Sequence, residues 1–262
     1  MNAAGQSDDH ALLMEVVREA GAIARDFFVK GAKSWEKRHD DPVSEADIAV
    51  NEHLRQRLFA VRPHYGWLSE ETADDGSRRE ARRIWIVDPI DGTRAFLKRQ
   101  PEFAVSVALV EDGRPVSGVV FNPARDEFYE AFAGGGARLN GAGIRASDRA
   151  SLAGAQLLAS KRTFERNDWL HLTPGANFAY MNSIAYRMAK VASGDFDAAV
   201  TFSEKSDWDV AAADLILTEA GAHCTTCDGK PLRYNEAVAR HPSVLAAAPG
   251  VHPILVKLLT AA

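Results

Sequence analysis

The chain has 262 residues, 46% of them hydrophobic and 26% charged, with a formal net charge of -5. That size and balance fit a globular protein with a large core, built as one large α/β domain or two closely packed halves. The net negative charge excludes general attraction to nucleic acid polymers or anionic membranes, so an anionic substrate must be held by local cations or metals. No segment approaches the roughly 20 apolar residues needed to span a bilayer. Residues 1–10 are polar and lack an apolar signal core, which predicts a cytoplasmic location.

Apolar residues at helical spacing, from Leu12 through Phe28, predict an amphipathic helix over Ala11–Val29 with Gly31 as its stop. Ser44 opens a second helix that runs to about Val61, and Pro63 closes it. A polar loop from Thr72 to Arg83 precedes a central strand, Ile84–Val87. Strands at Phe103–Val110, Val116–Phe121 and Glu127–Phe132, punctuated by Asp112-Gly113 and Asn122-Pro123, predict an antiparallel meander. Gly134-Gly135-Gly136 reads as a turn; no Gly-Lys-Ser/Thr follows to make it a P-loop. Beyond it the pattern alternates: strand Leu157–Ser160, helix Asn182–Ser193, strand Phe196–Thr201, helix Trp208–Ala220 ending at Gly221, strand Ser243–Ala247 and helix Val251–Thr260. The sum is a layered mixed α/β protein, with an N-terminal half of about residues 1–150 and a C-terminal half of about 151–262 in one domain. Cys224 and Cys227, spaced C-T-T-C, lack the further ligands zinc requires and read as a reduced pair in a turn.

The run from Trp85 to Thr93 carries the chemistry. An apolar strand delivers Asp88, Pro89 directs the chain out of the strand, and Asp91 follows three residues after the first acid. Two carboxylates on a rigid turn suit hard cations, which prefer oxygen ligands. Gly92-Thr93 opens a short helix whose free N–H groups suit a phosphate. Metal and phosphate side by side point to metal-assisted chemistry on a phosphoryl ester. Three further acid segments accompany it, at Asp41–Asp47, Glu70-Glu71 and Trp208-Asp209. Each also has a structural reading. Ser44 with Asp47 makes a capping box, Glu70 and Glu71 can be solvated loop charges, and Asp209 suits the first turn of a helix.

Taken together, these blocks resemble the inositol monophosphatase-like superfamily of magnesium-dependent phosphatases. The matching residues are Asp41-x-Val43-Ser44-x-x-Asp47, Glu70-Glu71-Thr72, Trp85 to Thr93, and Trp208 to Ala212 with Thr218 to Gly221. Their order and spacing follow the family from about Asp41 to Gly221; Ser69 stands where the family usually has Gly. The resemblance implies an α-β-α-β-α sandwich and a lithium-sensitive phosphatase that uses two or three Mg²⁺ ions. It places Glu70, Asp88 and the Ile90 carbonyl on a first metal, and Asp88, Asp91 and Asp209 on a second. Gly92 and Thr93 would meet the phosphate, while Asp41, Thr93 and Glu70 would act on the attacking water. Ser183 would touch substrate, with Asp91 and Asp209.

For substrate, Gly136–Gly141 leans toward inositol monophosphatases, whereas three features lean toward bacterial 3′(2′),5′-bisphosphate nucleotidases. These are Arg187, where those enzymes carry a lysine; Ser160-Lys161-Arg162; and the turn Asp228–Tyr234. A bisphosphate needs cationic donors for the phosphate that is not cleaved, which predicts Lys161, Arg162 and Arg187 as its contacts. The favoured reading is hydrolysis of 3′-phosphoadenosine 5′-phosphate to AMP, a step that clears a by-product of sulfate activation. The alternative ester is myo-inositol 1-phosphate, with histidinol phosphate and fructose 1,6-bisphosphate behind it. A non-catalytic regulatory protein on the same fold is the reading from another class. The expected partner is a small phosphate ester. Many family members are homodimers, and no apolar stripe decides the matter here.

Overall fold

The computed structural model describes residues 3–260. Helix α1 spans Ala3–Lys30, eight residues longer at its start than the periodicity predicts. The extension is held by polar groups that a hydrophobic pattern passes over. Asp9 is buried and accepts from Arg62 at 2.6 Å and Arg83 at 2.7 Å. His10 is buried between Ser117 and Glu130. Next come a hairpin unforeseen in the sequence, β1 (Ser34–Arg38) and β2 (Asp41–Ser44), and then α2 (Glu45–Val61). Ser44 and Asp47 close the capping box expected of them.

The N-terminal sheet has seven strands in chain order: β3 (Gly66–Ser69), β4 (Arg83–Asp91), β5 (Ala104–Glu111), β6 (Arg114–Asn122), β7 (Glu127–Phe132), β8 (Ala137–Leu139) and β9 (Ala142–Gly143). Only β3 and β4 are parallel. Helix α3 (Thr93–Leu97) follows β4. Pro89 does not end β4 as expected. The ladder with β5 resumes at Asp91 after a register shift, so Pro89 and Ile90 form a bulge and both acids stay on the strand.

The C-terminal sheet is built from β10 (Gln156–Leu158), β11 (Asn177–Ala179), β12 (Ala198–Thr201), β14 (His223–Thr225) and β16 (Val244–Ala247), in the order β11-β10-β12-β16-β14. Strands β13 (Lys205–Ser206) and β15 (Arg240–His241) pair as a separate ribbon. Helix α4 (Lys161–Arg166) follows β10, α5 (Ile184–Ala192) follows β11, α6 (Asp207–Glu219) follows β13, and α7 (His252–Thr260) ends the described chain.

Three buried clusters set the layers. Leu13, Val17 and Leu54 of α1 and α2 pack on Trp85, Val107 and Val119. The other face of the same sheet, with Ile86, Ala108 and Val120, packs on α5 and α6, which also cover Ala199 and Ala246 of the second sheet. The far face of that sheet meets Phe164 of α4 and Leu255 of α7. The result is the expected α-β-α-β-α sandwich, and it explains why β4 beyond Arg83 and the whole of β5 are continuously buried and mostly apolar. Helix α6 approaches β6 closely because residue 118 is glycine. A Cβ there would lie 2.8 Å from the Ala212 carbonyl oxygen and 3.1 Å from its Cα. We expect Gly118→Ala to cost about 1–3 kcal/mol through overpacking, read as a lowered melting temperature. It should also weaken cation binding, because α6 carries Asp209.

Candidate active site

The acids converge where β4 meets the starts of α5 and α6. Asp88 is 1% exposed and accepts from the Ile90 N–H across the bulge at 3.0 Å. Asp91 is buried and accepts from Ser183 Oγ at 2.5 Å and the Ala185 N–H at 2.6 Å, both at the start of α5. Asp209, in the first turn of α6, accepts from the Ser206 N–H at 2.6 Å. Carboxylate oxygens of Asp88, Asp91 and Asp209 all lie within 4.8 Å of one another. They line a cleft of about 550 Å³ together with Glu70, Asp41 and Thr93.

Burial, reinforced by the charges of Glu70, Asp91 and Asp209, raises Asp88 well above the usual carboxylate range. Burial and the neighbouring Asp91 push Asp209 up to about 7. Burial also raises Asp91, although Ser183 and the Ala185 N–H oppose it. Buried anions at this spacing call for cations. Among the described residues, none of the three is in an ion pair with a side chain.

Glu70 is paired on its outer side. Lys37 of β1 donates to Glu70 at 3.0 Å and to Glu71 at 2.7 Å. Burial opposes the Lys37 charge, but the two carboxylates outweigh it and raise its pKa. Nothing in the sequence flagged Lys37, because only the hairpin brings it across 33 positions to Glu70. Ser69, where the family usually has Gly, donates to Asn51 at 2.6 Å and accepts from the Glu71 N–H at 3.2 Å, fixing the loop that bears both acids.

Thr93 has a carboxylate partner that the resemblance did not name. Thr93 Oγ1 lies 3.2 Å from Asp47 and 3.0 Å from the Ile90 carbonyl. Its carboxylate partner is therefore Asp47, whereas Asp41 lines the cleft at the start of β2. Asp47 is buried, and burial raises it to about 6 against the hydrogen bonds from Ser44. Read in sequence as a helix cap, it is a cap and a site residue at once.

The cation predictions divide. Arg187 is buried, lines the cleft and stacks on Tyr180 at 5.6 Å. Lys161 and Arg162 are exposed on α4 and do not line the cleft, whose wall there is Ser160 and Thr163; Lys161 pairs with Glu165 instead. Ser183 holds Asp91 rather than facing the cleft. Lys205, missed in the sequence, does line it. Neither Gly136–Gly141 nor Asp228–Tyr234 contributes to the cleft wall. Cys224 and Cys227 are free thiols outside it, both raised by burial. No helix among the described residues is long and apolar enough to cross a membrane.

Residues 6–261 match the inositol monophosphatase family. The chain belongs to that family. It is 38% identical over 245 residues to an inositol-1-monophosphatase of Rhizobium meliloti, covering 87% of this chain and 89% of that protein. It is 34% identical over 226 residues to the 3′(2′),5′-bisphosphate nucleotidase CysQ of Salmonella typhimurium, covering 84% and 91%. The solved structure of the Thermotoga maritima IMPase superposes with a TM-score of 0.83 at 28% identity, covering 97% of each chain.

Inositol monophosphatase family proteins are metal-dependent phosphatases, and the oxygen-rich cluster here, which Arg187 and Lys205 offset without pairing directly, fits a hard divalent cation. Asp88, Asp91 and Asp209 would hold it, with Glu70 and the Ile90 carbonyl at the margin. Bound there, a cation lowers the pKa of water and neutralises phosphoryl charge. Without it, the raised Asp88 costs stability at every pH above its unfolded value. That cost grows with pH until the folded pKa is passed. We therefore expect metal-free Asp88→Asn to melt above the metal-free native protein at about pH 8, the difference shrinking toward about pH 4. Added divalent cation should reverse the order. Cation binding at about pH 6 should release protons, measured by calorimetry in buffers of different ionisation enthalpy, because Asp209 titrates near 7.

Proposed function

We propose that the protein is a Mg²⁺-dependent 3′(2′),5′-bisphosphate nucleotidase that converts 3′-phosphoadenosine 5′-phosphate to AMP and phosphate. The observation that carries this reading is Arg187, a buried guanidinium on the cleft wall that is in no ion pair among the described residues. The charges of Asp91 and Asp209 reach it, but no carboxylate pairs with it directly, which leaves its donors for an anionic group on the substrate. Lys205 lines the same cleft. Both cations already offset the charge of the acid cluster, and a bisphosphate gives them a second phosphate to bind once metal takes over that role. The relatives' names alone do not separate the two, since both activities occur among them at similar identity.

In this reading the 3′-phosphate sits beside Gly92 and Thr93, and Asp88, Asp91 and Asp209 would hold the cations that neutralise its charge. Thr93 Oγ1, held by Asp47, orients the attacking water together with Glu70, and the proton it sheds passes along Thr93 toward Asp47. Arg187 and Lys205 take the 5′-phosphate. The product fits a role in clearing a by-product of sulfate activation in the cytoplasm.

Phosphate release from 3′-phosphoadenosine 5′-phosphate and from inositol 1-phosphate, with and without Mg²⁺, tests the assignment. We expect the nucleotide to have the higher kcat/KM; a preference for the inositol ester overturns the reading, and no turnover of either overturns both esters as substrates. Arg187→Met should raise KM for the bisphosphate on the order of 10- to 100-fold, the cost of losing a charged hydrogen bond. Turnover of inositol 1-phosphate should change little, and Arg187→Lys should recover part of the loss.

A further inference from the structure

Strands β11, β10 and β12 run parallel, so their carboxyl ends open on one edge of the C-terminal sheet. In open sheets that edge is where ligands sit. The residues just beyond those ends are Tyr180 after β11, Ser160 after β10 and Phe202 after β12, and all three line the cleft. Tyr180 is 68% exposed and Phe202 39% exposed. Two large aromatic side chains left open to water at one cleft carry a hydrophobic cost unless something covers them.

Both rings are braced. Phe202 packs on Trp169 at 5.8 Å, Trp169 meets Phe164 edge-on at 5.5 Å, and Phe164 meets Phe178 at 5.0 Å. That aromatic column runs from the core under α4 to the cleft, so Phe202 is a supported surface rather than a loose side chain. Tyr180 has the Arg187 guanidinium over its ring at 5.6 Å. Their strands are separated by β10 alone, about 10 Å between backbones, a gap that side chains can narrow onto a flat ring. The cleft therefore has an acid end, a cationic wall and an aromatic mouth in succession.

We propose that Tyr180 and Phe202 form a stacking site for the base of the nucleotide, and so select nucleoside bisphosphates over sugar or inositol phosphates. This rests on the reading given under Proposed function and adds the part of the ligand that neither metal nor arginine recognises. Every nucleobase has a π-face, so the site discriminates a base from no base more than one base from another.

Calorimetry with AMP and with ribose 5-phosphate, on the Mg²⁺-loaded protein, isolates the base. The native protein should bind AMP roughly 5- to 100-fold more tightly, the range of one base–aromatic stack. Phe202→Leu keeps apolar bulk but removes the π-face, and should collapse that preference while leaving ribose 5-phosphate binding unchanged; Tyr180→Leu also removes the ring under Arg187 and should weaken AMP more than ribose 5-phosphate. Equal binding of the two ligands by the native protein overturns the inference, as does an equal loss for both ligands in the variants. Unchanged AMP binding with a shift in the variants' sedimentation would assign the rings to an interface between copies and overturn it as well. Phosphate release from 3′-phosphoadenosine 5′-phosphate is read separately. An AMP preference without turnover removes the nucleotidase but leaves the base site, and turnover without the preference does the reverse.

Discussion

Three carboxylates share a space too small for three negative charges. With oxygens of Asp88, Asp91 and Asp209 within 4.8 Å of one another, burial and mutual repulsion raise all three carboxyls and favour their protonated forms when metal is absent. Divalent cations relieve it without protons. The surrounding architecture keeps the acids together against that repulsion. The β4 bulge holds two of them three residues apart on one strand, α5 presents an N–H and a serine to Asp91, and Gly118 lets α6 come near enough to add Asp209. The braces come from the N-terminal sheet and from the helix layer between the sheets, so the cluster exists only when those two layers are assembled.

The layers were legible because their signals are local. Apolar periodicity located α1 and α2, the alternating punctuation marked the meander, and paired acids beside an apolar strand marked the metal site. What escaped were contacts made across distance. Lys37 sits on an exposed hairpin with no pattern of its own and reaches Glu70 only through folding. Asp9 and His10 looked like solvated residues before the first helix, yet their partners arrive from β4, β6 and β7. Lys161 and Arg162 lie off the cleft wall for the opposite reason. They lie beside the right strand end, but a six-residue helix turns them outward and leaves Ser160 and Thr163 facing the cleft. Adjacency in sequence to a site does not decide which side of a short helix a charge takes.

Pro89 is a further case in which a correct residue preference led to a wrong geometry. A proline removes one ladder donor, and the sheet accommodates that loss at a bulge rather than by ending the strand. Had the strand stopped at Asp88, Asp91 would have left the sheet. Because it continues, both carboxylates project from one rigid element.

The structural and functional readings of the acids turn out not to compete. Asp47 closes the capping box of α2 and holds Thr93; Asp209 closes that of α6 and joins the acid cluster; Asp91 accepts from the Ala185 N–H and the Ser183 hydroxyl at the start of α5 and faces the same cluster. A helix start supplies both partial positive charge and fixed N–H donors, which are what a carboxylate needs to stay in one orientation when a metal or a proton is absent. Anchoring each acid at a helix start therefore pre-organises the site before any ligand arrives. A side chain identified as a cap in sequence is, for that reason, a better candidate for a metal ligand when several such caps point into one cleft, because the cap fixes the geometry that coordination requires.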